Sequence, residues 1–190
     1  SLACLKMIEE EDYIYVGGNF EAGSDTNHDG LLTNGVLEVK GDFRQYHYYT
    51  YQDYGFKATG NHKVILSGND TQNVSFESPN YSGFNILDIN EAKEVKFLTS
   101  VSINVFDGNT IYSSFDLSGI SSPLKRDLLI KGDFTLRKGL LDLAGNNLLV
   151  EGNLIVQNGK IDLKAGNIDI RGNLIHKYGT IYINRGRLEV

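Results

Sequence analysis

Residues 127–190 repeat one pattern about every 20 residues. Three glycine series keep this spacing, comprising Gly132, Gly152 and Gly172, then Gly139, Gly159 and Gly179, then Gly145, Gly166 and Gly186. Apolar residues recur at the same step, as in Ile130, Val150, Ile170 and Val190. Agreement between so many series indicates a repeat protein, in which every unit has one structure and stacks on the next.

Within each unit, apolar residues alternate with others as in a β-strand that has one buried face. Leu148, Val150, Leu154 and Val156 fall on one side of such strands. No helical spacing accompanies them, and the unit is too short for a helix, a strand and two connections. The sequence therefore predicts an all-β fold, a single-stranded parallel β-helix (β-solenoid). Its coils would hold two or three strands, stack about 4.8 Å apart and wind right-handed.

The earlier half of the chain follows the same pattern with wider spacing. Strand-like phrases that contain a glycine occupy residues 13–20, 36–43 and 62–70. Gly18 and Gly41 lie 23 residues apart, and Gly41 and Gly68 lie 27 apart, so loops are expected to bulge from these coils. Further strands are expected at 84–90, 95–98 and 101–106, and a loop at 118–127.

These patterns predict one β-helix domain over residues 1–190. Its coils would be irregular, with loop insertions, at 13–126 and regular at 127–190. Val190 falls two residues before the next expected glycine, so we expect the chain to be part of a longer protein whose other domains are its partners.

Polar residues also recur with the repeat. Asp133, Asn153 and Asn173 each follow a corner glycine, and the sequence predicts that they hydrogen-bond along the stack or satisfy the backbone of the corner. Lys131, Glu151 and Arg171 alternate in charge one coil apart, which predicts stacked ion pairs on the outer surface. Both rows are interpreted as structural.

One stretch, DTNHDG at residues 25–30, is similar to a calcium-binding loop. Asp25, Asn27 and Asp29 match the first three ligand positions of such a loop, and Gly30 matches its glycine. Val36 stands where a bidentate glutamate belongs, and the flanking segments are strands. A weak Ca²⁺ site and an ordinary turn rich in Asp and Asn are therefore both open; otherwise no cofactor is expected.

The stretch YHYYTYQDYGF at residues 46–56 concentrates tyrosines in the coil with the longest insertion. Exposed tyrosines stack on sugar rings or anchor a protein partner. Tyr48, Tyr49, Tyr51 and Tyr54 are therefore candidate ligand-binding residues. The alternative is that they pack against the side of the solenoid.

The sequence contains no nucleotide-binding, hydrolase or metalloprotease motif, so it favours a non-catalytic protein over an enzyme. Asp142 and Asp162 are paired carboxylates one repeat apart, but such pairs usually mark the repeat itself. The net charge of −6 gives no reason to expect nucleic acid as a partner. No apolar run is long enough for membrane insertion, and Cys4 is the only cysteine.

Residues 35–190 resemble a repeat of large secreted bacterial surface proteins. The phrases HKVILSGNDTQNVSFESPNYSGFNILDIN, VKFLTSVSINV and LLIKGDFTLRKGLLDLAGNNLLVEGNL carry the resemblance. Its residues are Val64, Leu66, Gly68, Gln72, Val74, Phe76, Phe84, Asn85, Leu87, Ile89 and Asn90. The resemblance implies the stalk of an adhesin-type β-solenoid and a secreted or cell-surface location. Such proteins bind diverse partners, among them host or glycan ligands, or only space other domains apart.

Two functional hypotheses follow. The first is a non-catalytic surface segment that acts as an adhesin shaft or structural scaffold. The second is a carbohydrate-binding or polysaccharide-cleaving β-helix that uses residues 46–56 and a nearby carboxylate such as Asp53.

Overall fold

A computed structural model describes residues 4–23, 27–46 and 54–190. These residues form a β-solenoid of about eight turns, as the repeat predicted. The strands, in chain order, are β1 (Tyr13–Val16), β2 (Phe20–Ala22), β3 (Val36–Val39), β4 (Phe43–Gln45), β5 (Lys63–Leu66), β6 (Thr71–Phe76), β7 (Phe84–Asp88), β8 (Glu94–Phe97), β9 (Val101–Asp107), β10 (Thr110–Ile111) and β11 (Phe115–Gly119). They continue with β12 (Leu128–Ile130), β13 (Phe134–Leu136), β14 (Leu140–Asp142), β15 (Leu148–Val150), β16 (Leu154–Val156), β17 (Lys160–Asp162), β18 (Asn167–Ile170), β19 (Leu174–His176), β20 (Thr180–Tyr182) and β21 (Arg187–Glu189).

Every pairing between these strands is parallel, and the strands form four sheets. The largest sheet has nine strands, in the order β1-β3-β5-β7-β9-β11-β13-β16-β19. The others are β10-β12-β15-β18-β21, β2-β4-β6-β8 and β14-β17-β20. Each regular coil therefore contributes three short strands, one to each of three sheets. No helix occurs in the part of the chain that the structure describes.

The register confirms that residues one repeat apart stack on each other. Val150 pairs with Ile170, and Leu154 pairs with Leu174, at the step that the glycine series predicted. The first coils are longer, because Val36 pairs with both Tyr13 and Lys63. Each of these two coils exceeds the regular repeat, so the loops expected from the glycine spacing are present.

The coils around β9 are shorter than the repeat, and the sequence analysis missed two strands there. Val101 and Ser102 of β9 pair with β11, whereas the rest of β9 pairs with β7. Because Leu117 of β11 pairs with Val101, this coil is shorter than the regular repeat and departs from the glycine phase. Strands β10 and β11 therefore carry no glycine signature of the repeat. The loop expected at 118–127 starts after Gly119.

Inward side chains fill the interior of the solenoid as one hydrophobic cluster that extends from Met7 to Ile170. Phenylalanines dominate its first half. Phe43 has no exposed surface, and its ring centroid lies 5.2 Å from that of Phe20 and 5.5 Å from that of Phe76. Burial of this kind supplies the main stabilisation of a fold built from short strands.

Side-chain hydrogen bonds lock the corners of successive coils. Asn153 Nδ2 donates to Asp133 Oδ1 at 3.0 Å, and Asn173 Nδ2 donates to Asn153 Oδ1 at 3.0 Å. This confirms the predicted polar row. The first half uses buried Gln72 for the same purpose, since its side chain accepts from Gly68 N and donates to the Gly41 carbonyl, each at 2.6 Å.

The predicted row of ion pairs is present in part. Arg171 contacts Glu151 at 3.1 Å, as expected. Lys131 behaves differently, because its Nζ lies over the ring of Tyr112, 4.1 Å from the ring centroid. A cation placed over an aromatic face gains from the ring quadrupole, so the ring takes the place of the carboxylate.

Candidate functional site

The structure brings one described residue from each candidate site of the sequence, Tyr54 and Asp29, to one corner of the solenoid. Tyr54 and Asp29 are joined there by Lys57. Lys57 Nζ lies 4.7 Å from the centroid of the Tyr54 ring and 3.1 Å from Asp29 Oδ1. The backbone reinforces this contact, since His28 N donates to the Tyr54 carbonyl at 3.1 Å.

Tyr81 extends this corner into the next coil. Its ring packs edge-to-face on Tyr54 with 5.4 Å between centroids, and 48% of the residue remains exposed. The turn that carries Tyr81 is fixed, because the Ser78 carbonyl accepts hydrogen bonds from the N–H groups of Tyr81 and Ser82. An exposed ring on a fixed turn is a preformed contact surface.

A groove of about 180 Å³ opens beside Tyr81, and we call it the Tyr81 groove. The residues that line it include Lys57, Thr59, Asn80, Tyr81, Ser82, Ser102 and Asn104. Its floor contains Ala58 and Phe84, which are 6% and 2% exposed. The lining residues thus include one exposed tyrosine, two asparagines, three residues with an aliphatic hydroxyl and one lysine, beside the apolar Ala58 and Phe84.

The walls of the groove are fixed by backbone hydrogen bonds. Gly83 N donates to the Phe56 carbonyl at 2.8 Å, and Ala58 N donates to the Gly83 carbonyl at 3.2 Å. A Cβ atom at Gly83 would lie 2.6 Å from the Ser102 carbonyl oxygen, so only glycine lets the walls approach this closely.

Four of the predicted site residues lie outside the described part of the chain. These are Tyr48, Tyr49, Tyr51 and Asp25, and Asp53 lies outside it as well. Tyr54, Asn27 and Asp29 are described.

Both described ligand candidates of the calcium-like stretch, Asn27 and Asp29, already have partners. Asn27 Oδ1 accepts a hydrogen bond from Asp29 N at 2.8 Å, which is the geometry of an Asx turn. Asp29 pairs with the Lys57 ammonium, so a cation already occupies one side of its carboxylate. Among the described residues, no group of three or more His, Cys, Asp or Glu side chains is placed to hold a metal ion.

We expect calcium to leave the stability of the protein unchanged. Binding would require Ca²⁺ to displace Lys57 from Asp29, and Asn27 would have to give up its turn. A site with a Kd of about 10 µM would add about 2.7 kcal/mol of stability at a calcium concentration about one hundred times the Kd. Thermal unfolding with and without millimolar CaCl₂ measures this. A midpoint that rises with calcium in the wild type but not in Asp29→Asn would contradict the prediction.

Asp142 and Asp162 pair in register, but both serve the corner of the coil. Asp142 is 6% exposed and contacts Lys164 Nζ at 2.6 Å, and this hydrogen bond raises the pKa of Lys164. Asp162 accepts a hydrogen bond from Asn184 Nδ2 at 2.8 Å. Lys164 and Asn184 belong to turns with positive φ, 43° and 41°, which these carboxylates and their partners help to hold.

A second carboxylate pair, Asp88 and Asp107, was not singled out in the sequence. Asn90 Nδ2 lies between them and donates to Asp88 at 2.8 Å and to Asp107 at 2.9 Å. Lys63 contacts Asp88 at 2.7 Å, and Arg126 contacts Asp107 at 2.9 Å.

The electrostatics of this second pair favour a structural role. Burial acts to raise the pKa of both carboxyls, but the hydrogen bonds and cations outweigh it and lower both pKa values. A general acid for glycoside cleavage needs a raised pKa, so this pair lacks the required asymmetry.

The described histidines lie apart from one another and do not form a common site. His28 Nε2 accepts a hydrogen bond from Leu5 N at 3.0 Å, and His176 Nε2 lies 3.2 Å from the Gly179 carbonyl oxygen in the last coil. His62 is fully buried, and neither of its ring nitrogens has a hydrogen-bond partner among the described residues. Burial lowers the pKa of His62 to about 4, so its ring is neutral at pH 7.

Sequence reasoning missed Lys57, Tyr81 and Asn104. Each is a single polar or aromatic residue in an irregular coil, so no series of equivalent residues at the repeat spacing identifies it. They could have been found only from the pairing between coils, in which Lys57 bridges to Gly83 and Leu32 bridges to Ala58. Aligning the coils by these bridges places Tyr81 beside Tyr54.

No protein family model, curated protein or solved structure matches this chain. No helix suited to crossing a membrane was found among the residues described.

Proposed function

We propose that this chain is a non-catalytic β-solenoid segment that acts as the shaft of an adhesin-like protein or as a structural scaffold. Its setting would be a secreted or cell-surface protein of bacterial type, with other domains of the same protein as partners. Support comes from the architecture and from the resemblance of residues 35–190 to stalk repeats.

The observation that carries this proposal is the continuous locking of one coil to the next. Backbone ladders run through nine strands of one sheet, and polar side chains add a second set of bonds at the corners. Bonds that lie along the stack resist bending between coils. Such a solenoid is suited to hold other domains at a fixed distance, because each coil adds length without changing its neighbours.

A shaft also tolerates the loss of one repeat, and this gives a sharp test. Deleting residues 151–170 joins Val150 to Arg171, which takes the register of Glu151. We expect this variant to fold with an intact core and only a modest fall in its unfolding midpoint, because every remaining residue keeps an equivalent neighbour. Circular dichroism and thermal unfolding measure both. The matched control deletes residues 151–160, which removes half a coil and should lower the unfolding midpoint much more, because the strands on the two sides of the deletion lose their register.

Function and location are tested in the cells that produce the protein. An antibody against this segment should label intact cells or the surrounding medium. The parent protein should keep its activity when residues 151–170 are deleted. Labelling only after permeabilisation would contradict the surface setting, and loss of activity in a well-folded deletion variant would contradict the scaffold role.

A second candidate function is carbohydrate recognition beside residues 46–56. The observation that favours it is the contact between Tyr54, from the tyrosine-rich stretch, and exposed Tyr81. Tyr48, Tyr49 and Tyr51 would add further rings to such a surface. A polysaccharide-cleaving version of this function would use Asp53 and would show turnover that Asp53→Asn abolishes.

A further inference from the structure

We propose that the Tyr81 groove binds one pyranose ring of a neutral saccharide. This inference deepens the second candidate function, carbohydrate recognition, and is independent of the shaft role. It places recognition on Tyr81, Asn80 and Asn104, none of which the tyrosine-rich stretch contains.

The lining of the groove matches the chemistry of a sugar. A pyranose has one face of C–H groups and a rim of hydroxyls, so its sites pair an aromatic ring with groups that donate and accept hydrogen bonds. The groove offers the Tyr81 ring at its edge. Thr59, Asn80, Ser102 and Asn104 line it with hydroxyl and amide groups.

Asn104 is held in place before any ligand arrives. Its Nδ2 donates to Asn85 Oδ1 at 2.9 Å, and Asn85 Nδ2 donates to the Gly60 carbonyl at 2.6 Å. Asn85 is only 8% exposed, so this chain of bonds is anchored in the protein. With Nδ2 engaged, Asn104 has its Oδ1 left as an acceptor for a sugar hydroxyl. An oriented polar group binds without a further ordering cost.

The charge of the lining favours a neutral ligand. Among the described residues, Lys57 is the only charged one that lines the groove, and its ammonium is neutralised by Asp29. This lining therefore has no free charge to select an anion, which favours a neutral sugar over a phosphate or a uronic acid. The groove is also small and concave, whereas the hot spot of a protein interface needs a broad buried patch around it.

Saturation-transfer NMR with four methyl glycosides, of glucose, galactose, mannose and N-acetylglucosamine, tests this site. At least one should receive saturation from the wild-type protein. Tyr81→Ala should weaken its binding about tenfold, the effect of removing one anchoring ring. Tyr81→Phe should retain binding because the ring remains, and Asn80→Ala should weaken it by a smaller factor.

Two controls separate the possible failures. Tyr178→Ala removes an exposed tyrosine, 74% accessible, from the regular half and should bind as wild type. A variant with Tyr48, Tyr49 and Tyr51 all changed to alanine should also retain this monosaccharide contact.

Three results would overturn the proposal. Saturation of none of the four glycosides would exclude the site. Equal loss in Tyr81→Ala and Tyr178→Ala would show non-specific stacking. Binding lost in the triple variant but kept in Tyr81→Ala would exclude the groove, while carbohydrate recognition as the second candidate function would stand. Thermal unfolding of every variant shows that the fold is retained.

Discussion

Replacing Phe43 with alanine is expected to lower the free energy of unfolding by about 3–5 kcal/mol, the range for truncating a fully buried phenylalanine. Phe43 has no exposed surface, and its ring lies within 4.8–5.5 Å, centroid to centroid, of Phe20, Phe56, Phe76 and Phe84. The variant leaves a cavity that four aromatic rings border. The backbone that carries these rings is held by hydrogen bonds, so the rings cannot move inward to fill the cavity. Urea denaturation of wild type and variant measures the loss.

Two further variants make this prediction specific. Phe43→Leu fills more of the cavity than alanine, so its loss should be clearly smaller. Tyr178→Ala truncates a ring that is 74% exposed and should change stability by less than about 0.5 kcal/mol. A loss below about 1 kcal/mol for Phe43→Ala would show that the aromatic cluster is not a packed core.

The solenoid also predicts where the damage from Phe43→Ala is felt. Contacts in a stack are made between neighbouring coils, so destabilisation should be greatest near the altered coil. Hydrogen exchange should accelerate most in β3, β4 and β5 and least in β16 and β18. Uniform acceleration along the chain would indicate a single cooperative unit instead.

The sequence predicted the regular coils well because their information is local and repeated. Residues such as Val150 and Ile170 keep the same step in many series at once, and parallel pairing follows from that step. The row Asp133, Asn153 and Asn173 could be predicted for the same reason, since equivalent residues must touch in a stack. In the first half, the two longer coils were readable from the wider spacing of their glycines.

The coils around β9 could not be predicted in this way. Strand β9 belongs to two ladders along its length, and the coil from Val101 to Leu117 is shorter than the regular repeat. A change of coil length shifts every later residue out of phase, so β10 and β11 lost their pattern. The position of β11 depends on which residues of β9 remain unpaired after β9 has paired with β7. The sequence alone does not show which residues these are.

The candidate site was predictable only in part, because its residues come from different coils. The tyrosine-rich stretch indicated Tyr54, and DTNHDG indicated Asp29. Nothing in either stretch shows that Lys57 lies between them. The lengths of the preceding coils decide which residues lie next to Tyr54, and these lengths place Tyr81 and Asn104 at the site. The neutralisation of Lys57 and the orientation of Asn104 are likewise consequences of stacking.

The second large effect is expected from acid, acting through His62. Its ring is fully buried without a hydrogen-bond partner among the described residues, and it packs edge-to-face on Phe56 at 5.9 Å. Burial lowers its pKa from 6.5 to about 4. The unfolded chain therefore binds a proton more readily than the folded chain. The contribution of neutral His62 is complete above pH 6.5 and is lost as the pH falls toward 4, at a cost on the order of 3 kcal/mol.

The variant His62→Leu should remove this pH dependence because leucine cannot take up a proton. Urea denaturation between pH 7 and pH 4 should show wild type losing stability faster than His62→Leu, and the two curves should diverge below pH 6.5. His176→Leu is the matched control, since it makes the same substitution at a histidine that lies exposed in the last coil.

Asp88 and Asp107 provide a separate response at lower pH. Their lowered pKa values mean that they stabilise the fold above the pKa of an unfolded aspartate, about 3.9, and lose this contribution only as the pH falls further. The histidine effect thus comes first on acidification. Wild type and His62→Leu with the same slope between pH 6.5 and 4 would contradict the assignment to His62. Such a result would mean that the buried ring has access to water or to a hydrogen-bond acceptor.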